Sequence, residues 1–249
     1  MKYYAGHEST YRRLEAEGAS CWDRTAFDAF YMRPFLEDAL ARMGRQSGRA
    51  LDLGCGTGPV ACVLAERGYD EVLGVDLSPT ALRMGERAAA ERKLGHLRFE
   101  LHDVLELADD LAGQERFDLI VDSHCLHCLI YDTDRARFFD NVRRLLQPSG
   151  AFVVETMARH ARVDFGADFV LDDDGVLWRK YADGDPADTR ILRGEPHHPN
   201  RRVRAPDELE AEVKAAGFAV DFVRASEQQE SPGDPLNWQA ILRLPMVCS

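Results

Sequence analysis

Two histidines and two cysteines lie close together in the segment His124-Cys125-Leu126-His127-Cys128, directly after an apolar run. An imidazole takes up a proton near neutral pH more readily than other side chains. His124 is therefore the first candidate for a general base, and His127 is the second. Two other interpretations stay open for this segment. It is a hydrogen-bonded structural loop, or it belongs to a metal site that needs a further pair of ligands, such as His197 and His198.

A second chemical feature is the glycine-rich segment Asp52-Leu53-Gly54-Cys55-Gly56-Thr57-Gly58, followed along the chain by Asp76. A short apolar run precedes the glycines and an amphipathic stretch follows them, which predicts a strand, a tight turn and a helix. Such a junction presents backbone N–H groups to a ligand, and glycine lets that ligand approach closely. Asp76 ends the next apolar run, where an acid can accept hydrogen bonds from both ribose hydroxyls of a nucleoside. The spacing differs from the G-x-G-x-x-G of dinucleotide sites.

The elements that must position these residues alternate regularly along the chain. Strands are predicted at residues 50–53, 72–75, 97–101, 117–122 and 151–155, with helices between them, as a parallel sheet requires. A helix is predicted at residues 206–216, and two closing strands at residues 218–224 and 238–244. Because parallel strands end at one edge of a sheet, we expect the glycine turn, Asp76 and His124 to lie together.

The glycine-rich segment resembles motif I of the class I S-adenosylmethionine-dependent methyltransferases, and Leu146-Gln147-Pro148-Ser149-Gly150 resembles the turn before strand five in that family. The resemblance covers residues 50–244. It implies an α/β fold with a Rossmann-like seven-stranded sheet that closes with an antiparallel hairpin of its sixth and seventh strands. It also implies S-adenosylmethionine as the methyl donor. The cofactor contacts expected from it are Asp52, Gly54, Cys55, Gly56, Asp76, Leu77, Asp103, Val104, Ser123, Tyr31 and Arg33.

The family assigns a role to several of these positions. Its glycine turn holds the methionine moiety, and the acid after strand two, here Asp76, binds the ribose. The acid after strand three, here Asp103, contacts the adenine amino group, while the neighbouring Val104 packs on the ring. Tyr31 and Arg33 belong to an N-terminal helical segment, which in small-molecule methyltransferases often closes over the cofactor. The alternative for this aromatic segment is a helix that simply packs on the sheet.

Four segments are predicted along the chain. Residues 1–45 form an N-terminal helical cap, with one helix near residues 8–17 and another over about residues 22–43, where Pro34 marks a kink or a boundary. Residues 46–158 form the S-adenosylmethionine-binding core. Residues 159–204 form an insertion, partly β, that lies as a lid over the active site. Residues 205–249 complete the core with the last helix and the hairpin.

Composition argues against several classes of function. The formal net charge of -12 argues against a general affinity for nucleic acid or for an anionic membrane. No apolar run reaches the length of a membrane span, and the polar first residues do not resemble a signal peptide. The six cysteines do not form the pattern of a disulfide framework, so we expect a cytoplasmic protein. Monomer and homodimer both stay open.

The function expected is methyl transfer to an oxygen or nitrogen of a small molecule. The turn Asp122-Ser123-His124-Cys125-Leu126 resembles that of O-methyltransferases of bacterial secondary metabolism, so a secondary metabolite or an anionic compound is a candidate acceptor. An anion requires a basic side chain in the lid, where acids are equally numerous. The alternatives are a protein that binds S-adenosylmethionine or S-adenosylhomocysteine without turnover, and metal-assisted transfer that uses the segment from His124 to Cys128.

Overall fold

Two helices precede the first strand in the computed structural model, which describes residues 3–4, 6–44, 47–181, 188–226 and 233–245. They are α1 (His7–Ala16) and α2 (Arg33–Met43). The prediction of one helix over residues 22–43 is wrong in its first half, which contains only a short 3-10 turn, Phe27–Ala29. Pro34 explains the difference, because it lies in the first turn of α2, where its missing N–H has no intrahelical partner to lose.

The strands and helices of the core then alternate as predicted. The strands are β1 (Arg49–Leu53), β2 (Glu71–Asp76), β3 (Leu97–Leu101), β4 (Phe117–Ser123) and β5 (Leu146–Ala158). The helices are α3 (Pro59–Glu66), α4 (Pro79–Glu91), α5 (Leu107–Asp110) and α6 (Asp132–Leu145). Strand β5 is longer than predicted, because the backbone is already extended at Leu146 and the register with β4 shifts before Leu119 pairs with Ala151.

The region after β5 contains four short strands and then the closing elements. The strands are β6 (Phe169–Leu171), β7 (Val176–Lys180), β8 (Arg190–Leu192) and β9 (Glu195–Arg202). The closing elements are α7 (Pro206–Ala215), β10 (Ala219–Ser226) and β11 (Leu236–Arg243). Strands β6 to β9 form a separate antiparallel sheet in the order β6-β7-β9-β8. Ile130, Val176 and Trp178 bury its inner face against the segment that follows β4.

The main sheet has seven strands in the order β10-β11-β5-β4-β1-β2-β3. Strands β1 to β5 pair in parallel, and β11 runs antiparallel to both β5 and β10. The predicted α/β fold, with its seven-stranded sheet and terminal antiparallel hairpin, is therefore confirmed. The strand order reverses between β1 and β4, and in open α/β sheets a ligand binds at that point, beyond the carboxyl ends of the strands.

Apolar side chains cover both faces of this sheet. On β5, Phe152 and Val154 pack in one buried cluster with residues of α6 and α7, whereas Ala151 and Val153 pack in the other with residues of α2 and α3. Strands buried on both faces are held in place by close packing, so the loops at their carboxyl ends start from fixed positions. Among the described helices, none is long and apolar enough to cross a membrane.

Candidate active site

The turn after β1 lets two other elements approach its backbone. Gly54 and Gly56 have φ angles of +62° and +55°, in the left-handed region that favours glycine. A Cβ at Gly56 would lie 2.5 Å from the Tyr11 hydroxyl on α1, and a Cβ at Gly54 would lie 2.9 Å from the Cys125 Sγ that follows β4. Alanine at either position would therefore strain the backbone, and its Cβ would displace Tyr11 or Cys125.

A cavity of about 630 Å³ opens at this edge of the sheet. The predicted site residues that line it are His124, His127, Asp52, Gly54, Cys55, Gly56, Asp76, Leu77, Val104, Ser123 and Tyr31. Neither Asp103 nor Arg33 is among the described residues of its wall. The cavity therefore joins the glycine turn to the segment after β4, as the sequence predicts.

The Asp76 carboxylate is fixed at the end of β2. Its Oδ2 accepts a hydrogen bond from the Gly56 N–H at 2.9 Å, and its Oδ1 accepts one from the Ser78 N–H at 2.8 Å. Burial raises the pKa of this carboxyl. A carboxylate has about four acceptor sites, so Asp76 can also accept hydrogen bonds from the hydroxyl groups of a ligand in the cavity.

Asp52 is the more deeply buried of the two acids beside the glycine turn. Its Oδ2 accepts a hydrogen bond from the Ala61 N–H at 3.1 Å, whereas its Oδ1 is buried without a hydrogen-bond partner in the described part of the chain. Burial raises the pKa of this carboxyl well above its usual range, and the nearby Asp122 and Asp76 add to the effect. A cationic donor placed at Oδ1 would satisfy the oxygen and favour the ionised carboxylate.

Asp103 is not among the described residues of the cavity wall, and both of its oxygens have partners. Oδ1 accepts a hydrogen bond from the Leu105 N–H at 2.9 Å, and Oδ2 accepts one from the Tyr4 hydroxyl at 2.9 Å. Tyr4 lines the cavity in its place and packs against the buried cluster that contains Val104. An adenine amino group would reach Asp103 only by sharing the carboxylate with Tyr4 or by displacing it, so that contact stays a prediction.

Glu8 attaches helix α1 to the start of α4, close to the end of β2 where Asp76 lies. The Glu8 carboxylate accepts hydrogen bonds from Ser78 Oγ at 2.6 Å, from Thr80 Oγ1 at 2.8 Å and from Arg12 Nε at 2.7 Å. Partial burial opposes its ionisation, but these hydrogen bonds prevail and lower its pKa to about 2. Sequence reasoning missed Glu8, because an acid in a mostly charged helix looks like any solvated acid.

Tyr31 and Arg33 have different surroundings. Tyr31 lines the cavity and is half exposed. The Arg33 guanidinium donates a hydrogen bond to the Asp28 carbonyl at 3.1 Å and forms ion pairs with the carboxylates of Asp28 and Glu37. A cofactor contact from Arg33 would require it to leave these partners, and it stays a prediction.

His124 follows β4 in an unusual backbone conformation. Asp122 accepts hydrogen bonds from the N–H groups of Cys125 and Leu126, which turns the chain sharply. His124 has a φ angle of +68°, a region that is uncommon for residues other than glycine and that often occurs at functional sites. The His124 N–H donates a hydrogen bond to the Glu155 carbonyl at 2.9 Å. The main chain therefore holds this residue against β5.

A buried carboxylate holds the His124 side chain as well. Nε2 of His124 lies 3.0 Å from Glu155 Oε1, and the imidazole is 30% exposed whereas the Glu155 side chain is completely buried. The other oxygen, Oε2, accepts a hydrogen bond from Gln239 Nε2. Ser123, Glu155 and Gln239 are direct neighbours across β4, β5 and β11, which sets this line of contacts.

Sequence reasoning also missed Glu155, although a signal was present. An acid directly after the apolar run Phe152-Val153-Val154 falls within a predicted strand of a parallel sheet. Such sheets are covered on both faces, and a buried charge requires a partner. The sequence alone does not say which strand supplies that partner.

His127 has the environment of a donor rather than a base. It is buried, and its ring centroid lies 5.3 Å from that of His124. Burial lowers its pKa well below the usual range, and the charge of Arg201 adds to the effect. Its Nδ1 accepts a hydrogen bond from the Met157 N–H at 3.4 Å, so in the neutral ring Nε2 carries the proton. This environment disfavours proton uptake by His127.

The segment after β4 does not gather metal ligands. Among the described residues, no three His, Cys, Asp or Glu side chains form a group that could hold a metal ion. His197 bonds through Nδ1 to the Glu195 carbonyl, and the His198 ring packs on Tyr181. Burial raises the pKa of the Cys125 and Cys128 thiols. The described part of the chain thus offers no ligand set for metal-assisted transfer.

Comparison with known proteins identifies the family. The family model Methyltransf_31, described as a methyltransferase domain, matches residues 45–181. The chain belongs to this family. It is a class I S-adenosylmethionine-dependent methyltransferase, and S-adenosylmethionine is its methyl donor.

Two individual relatives match the chain at 33% and 26% identity. A 2-heptyl-1-hydroxyquinolin-4(1H)-one methyltransferase of Mycobacteroides abscessus is 33% identical over 115 residues, which cover 46% of this chain and 48% of that protein. The match thus spans about half the length of that relative. A ubiquinone biosynthesis O-methyltransferase of Acinetobacter baylyi is 26% identical over 220 residues, covering 84% of this chain and 80% of the relative.

A solved structure shares the fold over nearly the whole chain. It is the 1,6-didemethyltoxoflavin-N1-methyltransferase of Burkholderia thailandensis, with bound 1,6-didemethyltoxoflavin and S-adenosylhomocysteine. The TM-score is 0.65 at 22% identity, with 98% of this chain and 90% of that chain covered. At this identity the likeness supports the fold alone.

Proposed function

We propose that this methyltransferase transfers the methyl group to an oxygen or nitrogen atom of a small-molecule acceptor, and that His124 takes the acceptor's proton. The observation that supports the proposal is that His124, which lines the cavity, lies 3.0 Å from the carboxylate of the buried Glu155. A histidine held by a buried carboxylate is suited to general base catalysis.

The part of the cavity beside the glycine turn, which we call the donor end, fits S-adenosylmethionine. This cofactor supplies an electrophilic methyl group on a sulfonium. Asp76 would accept the ribose hydroxyls with the lone pairs that Gly56 and Ser78 leave available. Asp52 Oδ1, buried without a described partner, would accept from the cofactor's ammonium group. Leu77 and Val104 would contact the adenine, and the backbone of Gly54 and Gly56 would pack against the methionine moiety.

The proton's path follows from the contacts of His124. Its Nε2 is hydrogen-bonded to Glu155, so Nδ1 is the nitrogen left to receive the acceptor's proton. S-adenosylmethionine would supply its methyl group to the acceptor atom and leave as S-adenosylhomocysteine, and His124 Nδ1 would take the proton that the acceptor loses. The Glu155 carboxylate then stabilises the imidazolium, because the two are in contact in a buried setting.

The other segments complete the site in this proposal. Residues 1–45 act as a cap, because α1 reaches Ser78 and Thr80 through Glu8 and covers the glycine turn through Tyr11. Residues 159–204 act as a lid, because β9 brings Arg201 to the cavity wall. The curated relatives support a small acceptor, since their names specify a hydroxyquinolone and ubiquinone biosynthesis.

A screen for S-adenosylhomocysteine release tests the proposal. The first probe is 2-heptyl-1-hydroxyquinolin-4(1H)-one, followed by panels of phenols, carboxylic acids and amines. With an acceptor that is methylated, His124→Ala should lower kcat by about 100-fold or more, the usual effect of losing a general base, and leave S-adenosylhomocysteine affinity nearly unchanged. His198→Ala is the matched control, because His198 lies outside the described cavity wall.

Each outcome decides between the interpretations of the site. Normal turnover by His124→Ala would make His124 a structural residue. Tight binding of S-adenosylhomocysteine with no methylation of any probe would favour the alternative of a protein that binds the cofactor without turnover.

A further inference from the structure

Arg201 is the only arginine or lysine among the described residues that line the cavity. One of its N–H groups donates a hydrogen bond to the Asn200 carbonyl at 2.7 Å. No carboxylate of the described residues forms an ion pair with its guanidinium, although Asp234 lines the same cavity. The fork of remaining N–H groups is therefore available to a ligand.

Other basic side chains of the lid either have carboxylate partners or lie outside the described cavity wall. Several basic side chains of residues 159–204 form ion pairs with carboxylates: Arg159 with Glu208, Lys180 with Glu195, and both Arg202 and Arg204 with Asp132. Arg193 is exposed at the turn between β8 and β9 and lies outside the described cavity wall. Arg201 thus differs from the mixed-charge surface of the insertion, because it points at the cavity without an acidic partner.

A bulge in β9 places this side chain. Leu177 pairs with Arg201 and Trp178 pairs with Pro199, so Asn200 is an extra residue with no counterpart on β7. Bulges redirect the side chains next to them and occur frequently beside active sites. The side chain is part of a formed strand rather than a loose loop.

Strand β9 contacts the turn Leu126–Cys128 and brings Arg201 to the part of the cavity lined by His127 and Cys128, which we call the acceptor end. Its charge acts on His7, His127 and Cys128. Burial lowers the pKa of His7 to about 4, and the charge of Arg201 adds to the effect. His7 and His127 are therefore neutral at physiological pH, and Arg201 supplies the fixed positive charge at this end. The acids Asp52 and Asp76 are beside the glycine turn instead.

We infer that the methyl acceptor is a small organic anion, whose carboxylate, phosphonate or phosphate group pairs with Arg201 while its hydroxyl or amine faces His124. This inference rests on the proposed function, because it assigns an occupant to the acceptor end of the same site. A guanidinium matches the two oxygens of such a group with two parallel hydrogen bonds, and a partly buried site strengthens the pairing.

The test measures binding to protein saturated with S-adenosylhomocysteine, so it does not require turnover. The probes share one ring and differ in one group: 3,4-dihydroxybenzoate, 3,4-dihydroxyphenylphosphonate and the neutral 3,4-dihydroxybenzamide. By calorimetry, at least one anion should bind about 10-fold or more tightly than the amide. Comparison of the two anions distinguishes a carboxylate site from a phosphonate or phosphate site.

Two variants test whether Arg201 causes the preference for anions over the amide. Arg201→Gln should remove the difference between anion and amide, whereas Arg193→Gln, with the same loss of charge on the same sheet, should retain it. Three results would each overturn the inference: an amide that binds as tightly as both anions, a preference that survives Arg201→Gln, or absence of binding by every probe. An equal loss of S-adenosylhomocysteine affinity in Arg201→Gln would also overturn it, because Arg201 would then bind the cofactor's carboxylate.

The inference and the proposed function fail in different ways. Methylation of neutral acceptors that depends on His124 and not on Arg201 would leave the proposed function intact and refute the anionic acceptor. An anion preference that depends on Arg201, in a protein that methylates none of the probes, would support the anion site and contradict the assigned reaction.

Discussion

Glu155→Gln removes the charge that holds His124 and keeps the shape of the side chain. Glu155 is completely buried, and its two oxygens accept from His124 Nε2 at 3.0 Å and from Gln239 Nε2. A glutamine offers one acceptor in place of two, and it is neutral beside the imidazolium that forms during proton transfer. We therefore expect a folded protein with slow methyl transfer.

The expected fall in kcat follows from the strength of the hydrogen bond between His124 and Glu155, which the substitution removes. A hydrogen bond between charged groups contributes about 1.5–3 kcal/mol, and each 1.4 kcal/mol changes a rate by about tenfold. If the imidazolium gains this stabilisation in the transition state, kcat falls by about 10- to 150-fold. Glu155 is not among the described residues of the cavity wall, so S-adenosylhomocysteine affinity should change little.

The assay is S-adenosylhomocysteine release at saturating S-adenosylmethionine, with an acceptor from the screen. Glu208→Gln is the matched control, because Glu208 pairs with Arg159 away from the described cavity wall. A thermal unfolding curve shows whether the Glu155 variant folds. The defect should shrink with acceptors of lower pKa, whose proton leaves without help from a base.

A double variant gives the sharpest test of the reasoning. If Glu155 acts through His124, Glu155→Gln should cost little further activity in a His124→Ala background. Additive losses would show that the two residues act independently. A Glu155→Gln protein that keeps wild-type kcat would refute the role of the pair altogether.

Two further predictions concern the donor end. Asp76→Ala should weaken S-adenosylhomocysteine binding by at least about 10-fold in calorimetry, and unchanged binding would place the ribose elsewhere. The second prediction is a pH dependence of the contact between α1 and α4. The pKa of Glu8 is lowered in the folded protein to about 2 from an ordinary 4.5, so this contact stabilises the fold above pH 4.5 and is lost as the pH falls toward 2. The ring of Trp22 lies 5.3 Å from that of Tyr11 on α1, so its fluorescence reports on this helix. In Glu8→Gln, that fluorescence should lose its transition in this window, and a transition unchanged from that of the wild type would contradict the assignment.

The parts of the site that the sequence predicts are local in the chain. The glycine turn joins one strand to the next helix, and Asp76 ends the strand after that, so their spacing alone determines that they meet. His124 is predictable for the same reason, since the end of β4 must lie at the edge where parallel strands end. Local spacing also gives the strands of the core to within a few residues, except at β5.

The parts that escape prediction depend on contacts between distant segments. Glu155 meets His124 because β5 pairs with β4 in a particular register, and Tyr4 meets Asp103 because the N-terminal segment reaches the residues that follow β3. Arg201 faces the cavity because of a bulge in β9. The first half of the helix predicted at residues 22–43 fails for a local reason, since Pro34 is more favourable at the start of a helix than within it.

The charges of the cavity distinguish its two ends. At the donor end, burial raises the pKa of Asp52 and Asp76, so a cation bound there lowers the cost of keeping these carboxylates ionised. At the other end, Arg201 has no described acidic partner, and a bound anion would supply one. A ligand placed at the wrong end would put like charges together. Opposite charges at the two ends would therefore orient a cationic donor and an anionic acceptor, with His124 beside the acceptor atom.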